Sequence, residues 1–217
     1  MPYNRKYIAA AMGVLMLAAT SAFAGDNPSE VNQRKGAGDP ALGKEKSALC
    51  QGCHGEAGNS VSPKYPKLAG QWADYIEKQV RNFQSESRIN ETMNGIALTV
   101  DDFGNDLHDI AAYFAVQKMM TVEPVQNEAG RKLFYEGDSE KGIFRCVKCH
   151  GENGKGEPLN NNLFPVIGGQ YKQYIVKQLK EFKSGYRLND HSGMMPRITS
   201  NMTEAQMEAV AEYLSGQ

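Results

Sequence analysis

Apolar residues recur at helical spacing in several stretches of the chain, and the pattern is written twice. Tyr75, Ile76, Gln79, Val80 and Phe83 repeat at helical intervals, as do Tyr174, Ile175, Gln178, Leu179 and Phe182. Leu107, Ile110, Ala111 and Phe114 predict a later helix, and Met207, Val210, Ala211 and Leu214 predict its counterpart near the C-terminus. Thr203 and Gln206 form a capping box that starts this last helix. Asp101, Asp102 and Asn105 compete for the same role before Leu107. No alternating run is long enough to predict a strand.

Residues 70–90 and 169–189 share ten of twenty-one positions at a fixed offset. The same order of features surrounds both copies. A Cys-x-x-Cys-His run comes first, then a Gly/Asn-rich loop with Tyr65-Pro66 or Phe164-Pro165. The repeated helix follows, then a methionine-bearing loop, then the closing helix. A period near one hundred residues is too long for a solenoid and predicts a duplicated domain instead. The join falls between Thr121 and Asn127, where Glu123-Pro124 interrupts helical patterning. The expected fold is therefore all-α, with one domain over 25–120 and a second over 121–217. Each has a modest core that gains from a large apolar cofactor.

The first two dozen residues read differently. Arg5 and Lys6 precede an apolar run from Tyr7 to Ala19, and Ala22-Phe23-Ala24 supplies a cleavage signal before Gly25. This is the pattern of a secretory signal peptide over 1–24, and the run is short for a bilayer span, which needs roughly 20 residues. Export implies an oxidising compartment. A formal net charge of -1 leaves no basic footprint for nucleic acid. The first half beyond the signal carries ten basic and thirteen acidic residues and the second twelve of each, so electrostatic steering of partners is weak.

Export normally favours disulfides, but the four cysteines are placed for another chemistry. Cys50 and Cys53 run into His54, and Cys146 and Cys149 into His150, matching the c-type haem attachment pattern. On a helical turn residues three apart share a face, so both thiols reach the vinyl groups on one porphyrin edge. The adjoining imidazole then ligates the iron. A zinc site would gather its ligand pairs within one short segment, whereas these pairs lie almost a hundred residues apart. A redox dithiol would sit in a βαβ context, which is missing.

The sixth ligand decides what the iron does, and a methionine thioether suits electron transfer. Met93 is the only methionine between His54 and the first closing helix. The second half offers Met194, Met195, Met202 and Met207. Met93 has Ile96 three places on and Met195 has Ile198, so the repeat selects Met195, with Met194 in reserve. Met207 reads as core packing. His191 is a rival iron ligand without an equivalent in the first half, and His108 reads as a solvated helix residue. The carbonyls of Pro66 and Pro165 are candidate acceptors for the other nitrogen of each axial histidine.

On Cys50-Gln51-Gly52-Cys53-His54-Gly55, Tyr65-Pro66-Lys67-Leu68-Ala69-Gly70-Gln71, Ile110-Ala111-Ala112-Tyr113-Phe114 and their repetition, the chain resembles the cytochrome c4 family. That resemblance implies two tandem cytochrome c-like domains, each wrapped around one covalent haem c. It also implies His/Met iron, with Met93 and Met195 as axial methionines and Pro66 as acceptor for the axial histidine. The second copy departs from the first at Phe164-Pro165-Val166-Ile167-Gly168, and Pro196 directly follows Met195. The implied role is that of a non-enzymatic electron carrier in the periplasm, often loosely membrane-associated. It would run between a quinol-oxidising complex and a terminal oxidase. The rival readings are an electron-transfer subunit of a periplasmic dehydrogenase and a dihaem peroxidase.

Overall fold

The computed structural model describes residues 34–101, 104–119, 122–156 and 164–217. The signal-peptide reading lies outside them, as does the exact join at 120/121. Among the described residues the chain is helical, with one isolated bridge between Asp138 and Ile143 in place of any strand.

Among the described residues, five α-helices of the first half recur in the same order in the second. The first set is α1 (Pro40–Lys46), α2 (Ala48–His54), α3 (Ala73–Gln84), α4 (Glu91–Ala97) and α5 (Asp106–Ala115). The second set is α6 (Glu128–Glu136), α7 (Val147–His150), α8 (Lys172–Ser184), α9 (Met194–Ser200) and α10 (Glu204–Ser215). The expected capping box of Thr203 and Gln206 starts α10. Asn105 precedes α5 but makes no side-chain capping bond.

The methionine-bearing segments expected as loops are short helices. Asn90 caps α4 by accepting the Met93 N–H. Seven residues give too few turns for a hydrophobic period to show, which is why the sequence pattern missed α4 and α9.

Each half has its own apolar core. Ile76, Ile110, Ala111, Tyr113 and Phe114 form the first, and Phe134, Ile143, Ile175, Met207, Val210 and Leu214 the second. The helix pairs α1/α5 and α6/α10 pack against each other, and each pair meets at a glycine. A Cβ on Gly43 would collide with the Asp109 carbonyl and one on Gly130 with the Ala209 carbonyl. The two backbones approach that closely only because no side chain intervenes. Helices α3 and α8 pack on α5 and α10 and also carry α4 and α9.

The polar side of α3 faces the polar side of α8 across a pseudo-two-fold axis. Arg88 is 8% exposed and Arg187 6%. The Arg88 guanidinium donates to Gln79 (2.7 Å) in its own half, and to Gln178 (2.7 Å) and the Tyr174 hydroxyl (3.0 Å) in the other. Arg187 reciprocates, donating to Gln178 (2.6 Å) and across to Gln79 (3.3 Å) and Tyr75 (3.0 Å). The same residues face each other from both sides, as a two-fold contact requires.

Candidate functional site

Helix α2 carries Cys50, Cys53 and His54 within one turn and a half, and Cys146 caps the turn that carries Cys149 and His150. None of the four cysteines is paired in a disulfide. Cys50 packs on the first core and Cys146 on the second. Burial pushes the Cys50 and Cys149 thiols up, and takes that of Cys146 up to about 12. A redox-active dithiol uses a thiol pushed down towards thiolate, the direction opposite to that of these three. Among the described residues no three His, Cys, Asp or Glu side chains converge as a metal cluster.

Both histidines are buried and held in the same way. His54 Nδ1 lies 2.8 Å from the Pro66 carbonyl, and His150 Nδ1 lies 2.9 Å from that of Pro165. A carbonyl oxygen only accepts, so Nδ1 must carry the proton, and the lone pair is left on Nε2. Burial holds both imidazoles below their ordinary pKa, opposed in part by the proline carbonyl. Each is therefore a neutral ring with its free nitrogen available to a metal. Tyr65 stands edge-on to His54, and Phe164 stands in the same relation to His150, at centroid distances of 6.3 and 6.4 Å.

The methionines stand on separate elements. Met93 is half-buried on α4 and Met195 half-buried on α9. The Met93 N–H donates to Asn90 Oδ1 at 3.0 Å, and the Met195 N–H to Asp190 Oδ2 at 2.8 Å. Four residues further on, Ala97 and Thr199 are both buried, at 1% and 0% exposure. That register aligns Met195, and not Met194, with Met93. Met202 and Met207 lie inside the second core, so the packing reading of Met207 holds and extends to Met202. The side chain of His191 lies outside the described residues. His108 differs from expectation. It is not solvated alone but pairs through Nδ1 with the buried Glu77 carboxylate at 2.8 Å.

The segments that carry the two proline carbonyls are clasped from the opposite half. Gln170 accepts the Lys67 N–H at 3.0 Å and donates to the Lys67 carbonyl at 3.0 Å. Gln71 does the same to Val166, at 2.9 Å for each bond. Helical periodicity gave no sign of these two residues. The signal available was their identity in both copies directly ahead of the repeated helix.

Comparison with known proteins agrees with this geometry. Residues 127–217 match the cytochrome c family model. The cytochrome c4 of Pseudomonas aeruginosa is 38% identical over 183 residues, 83% of this chain and 89% of that protein. The chain belongs to the cytochrome c4 family. The crystal structure of reduced recombinant cytochrome c4 from Pseudomonas stutzeri superposes with a TM-score of 0.77 at 36% identity, covering 83% of this chain and 99% of that one. A "thiosulfate dehydrogenase electron acceptor" of Thiomonas intermedia is 32% identical over 100% of this chain and 92% of its own.

As a cytochrome c4, the protein is a dihaem electron carrier built from two tandem cytochrome c domains with covalently bound haem c. The donor set fits that cofactor. Each half presents two thiols on one helical turn and a neutral imidazole with a free Nε2. Each also presents a half-buried thioether on a short helix, with the methionine N–H held by the side chain of Asn90 or Asp190.

Proposed function

We propose that this cytochrome c4 carries electrons in the periplasm from a membrane quinol-oxidising complex to a terminal oxidase. Its domains span 25–120 and 121–217 and follow a cleaved signal peptide over 1–24. Cys50 and Cys53 hold one haem as thioethers, Cys146 and Cys149 the other. His54 with Met93, and His150 with Met195, complete the two iron sites. When bound, each haem supplies one reversible ferric–ferrous step.

The chain's own residues do the rest. The proline carbonyls fix each imidazole by its Nδ1 proton, and the burial of both rings keeps water from that bond. The observation that carries the reading is this duplicated histidine–proline arrangement, each copy matched by a methionine on a short helix. With a histidine and a methionine held for each iron, neither iron would keep a position open for a substrate, which favours a carrier over an enzyme. A second reading has a specific support in the Thiomonas relative that spans the whole chain. In it the protein docks onto a periplasmic thiosulfate dehydrogenase and receives its electrons.

Visible spectra of the purified protein, with haem quantified against protein mass, test the first reading. Two covalent haems, a far-red sulfur-to-iron charge-transfer band of two-site strength and no change with carbon monoxide are the expected result. A half-strength band, or carbon monoxide binding to one ferrous iron, defeats it and brings peroxidase chemistry forward. Copurification with a dehydrogenase rather than with a terminal oxidase selects the docked reading.

A further inference from the structure

We propose that Gln71 and Gln170 are positioning residues, each setting how strongly the axial imidazole of the opposite domain donates to its iron. The inference rests on the reading of His54 and His150 as axial ligands and adds a coupling across the domain interface.

The argument follows one peptide group. The amide between Pro165 and Val166 offers its carbonyl to His150 Nδ1 at 2.9 Å and its N–H to Gln71 Oε1 at 2.9 Å. The amide between Pro66 and Lys67 does the same, with His54 Nδ1 at 2.8 Å and Gln170 Oε1 at 3.0 Å. In each case a single conjugated amide is hydrogen-bonded at both ends, one end by its own domain's histidine and the other by the partner domain's glutamine.

Conjugation links the two ends. An acceptor on the N–H draws electron density towards the carbonyl oxygen, which then accepts more strongly from Nδ1–H, and such chains strengthen cooperatively. A stronger bond at Nδ1 makes Nε2 a better donor, and that stabilises ferric over ferrous iron. Each glutamine therefore lowers the potential of the haem in the other domain.

The orientation of both side-chain amides is fixed. Oε1 also accepts an N–H from its own chain neighbour, Trp72 or Tyr171, at 3.1 Å. Nε2 donates to the carbonyl of Val166 or Lys67. Two N–H donors on one atom and a carbonyl facing the other leave no alternative flip. Gln71 is 8% exposed and Gln170 9%, so water is not at hand to replace either.

The test uses the haem-loaded full chain. Gln71→Met keeps the length and removes both polar atoms, and Gln170→Met is its mirror. The two reduction potentials are titrated, each assigned to its domain through the axial-methionine NMR resonances. Gln71→Met should raise only the second-domain potential. The ferrous-to-ferric ratio at a fixed poise should increase about threefold, or about 30 mV for a one-electron couple. Gln170→Met should raise only the first-domain potential by a similar amount.

Gln71→Glu keeps an oxygen on the Val166 N–H and should leave the second-domain potential at or below that of the parent. It also serves if Gln71→Met does not fold. For the Gln→Met variants, a shift in the haem of the substituted domain overturns the inference, as do equal shifts in both haems or no shift; for Gln71→Glu, a rise in the second-domain potential overturns it. The parent spectrum separates this failure from that of the underlying reading. Two intact sulfur-to-iron bands with uncrossed potentials overturn the inference alone, whereas missing bands overturn the ligand assignment and the inference together.

Discussion

Substituting Gly130 by alanine would place a methyl group where α6 crosses α10. A Cβ built there stands 2.6 Å from the Ala209 carbonyl carbon, 2.9 Å from the Tyr213 Cβ, and closer still to the Ala209 oxygen. Ordinary carbon–carbon contact is about 3.5–4.0 Å, so the helices must part by roughly 1 Å. That separation loosens Phe134, which is wholly buried, and Tyr213 and Leu214, which share its core. Overpacking of this kind costs about 1–3 kcal/mol. A contact this close to backbone, which cannot rotate away, lies at the upper end of that range, about 2–3 kcal/mol, and better helix propensity returns about 1 kcal/mol, leaving a net loss of about 1–2 kcal/mol.

For a domain of this size each kcal/mol moves Tm by about 4–8 °C, so the second domain should melt roughly 5–15 °C earlier. Thermal unfolding of the haem-loaded protein, followed by ellipticity, measures it. Gly43→Ala, aimed at the Asp109 carbonyl, should act likewise on the first domain. Lys132→Ala, on the exposed side of α6, should stay within about 0.5 kcal/mol. A Gly130→Ala protein melting together with Lys132→Ala would refute the claim that backbone contact at the crossing sets the packing distance.

Three further outcomes are expected. Met195→Leu should halve the far-red charge-transfer band while Met194→Leu leaves it intact; the reverse pattern would move the ligand to Met194. The Asp109 carboxyl is held below its ordinary range by the Asp39 N–H and by Lys46. A depressed folded pKa gives stability that is present above the usual carboxylate range and lost as pH falls through it. Asp109→Asn should therefore lower Tm at neutral pH and flatten its fall below about pH 5, as thermal scans against pH would record. A double-mutant cycle joining Arg88→Met and Gln178→Met should show a coupling of about 1–3 kcal/mol in urea unfolding, because a charged donor meets a buried amide across the interface. A coupling near zero would mean the contact contributes nothing to docking.

The histidine–proline geometry was legible in the sequence because each element of it is forced. Cys-x-x-Cys-His fixes the ring's place on a helical turn, and a proline carbonyl comes with no N–H of its own to bond elsewhere. The helices carrying Met93 and Met195 were not legible as helices. The side chains that hold the two methionine N–H groups, Asn90 and Asp190, fit a turn equally well. The His108–Glu77 pair was also hidden, since its members lie 31 residues apart and only packing of α3 on α5 joins them.

The domain interface is the instructive case. Along α3 and α8, identity between the copies has two different causes. Ile76 and Ile175, like Phe83 and Phe182, are buried in their own halves, and they repeat because each half builds the same core. Tyr75 with Tyr174, Gln79 with Gln178 and Arg88 with Arg187 repeat for a different reason. A self-complementary face needs the same residue on both sides, so each arginine and glutamine serves in its own half and as partner to the other, while each tyrosine hydroxyl accepts from the other half's arginine. Periodicity merges the two causes, because both sets recur at helical spacing. Chemistry separates them. Arginine and glutamine kept identical in two copies have no place in an apolar core, and a solvated surface would give no reason to keep them. Their identity in both copies is what a buried polar contact between the halves demands. The same reasoning reaches Gln71 and Gln170, whose repetition just ahead of each helix marks the point where one domain grips the peptide that holds the other's histidine.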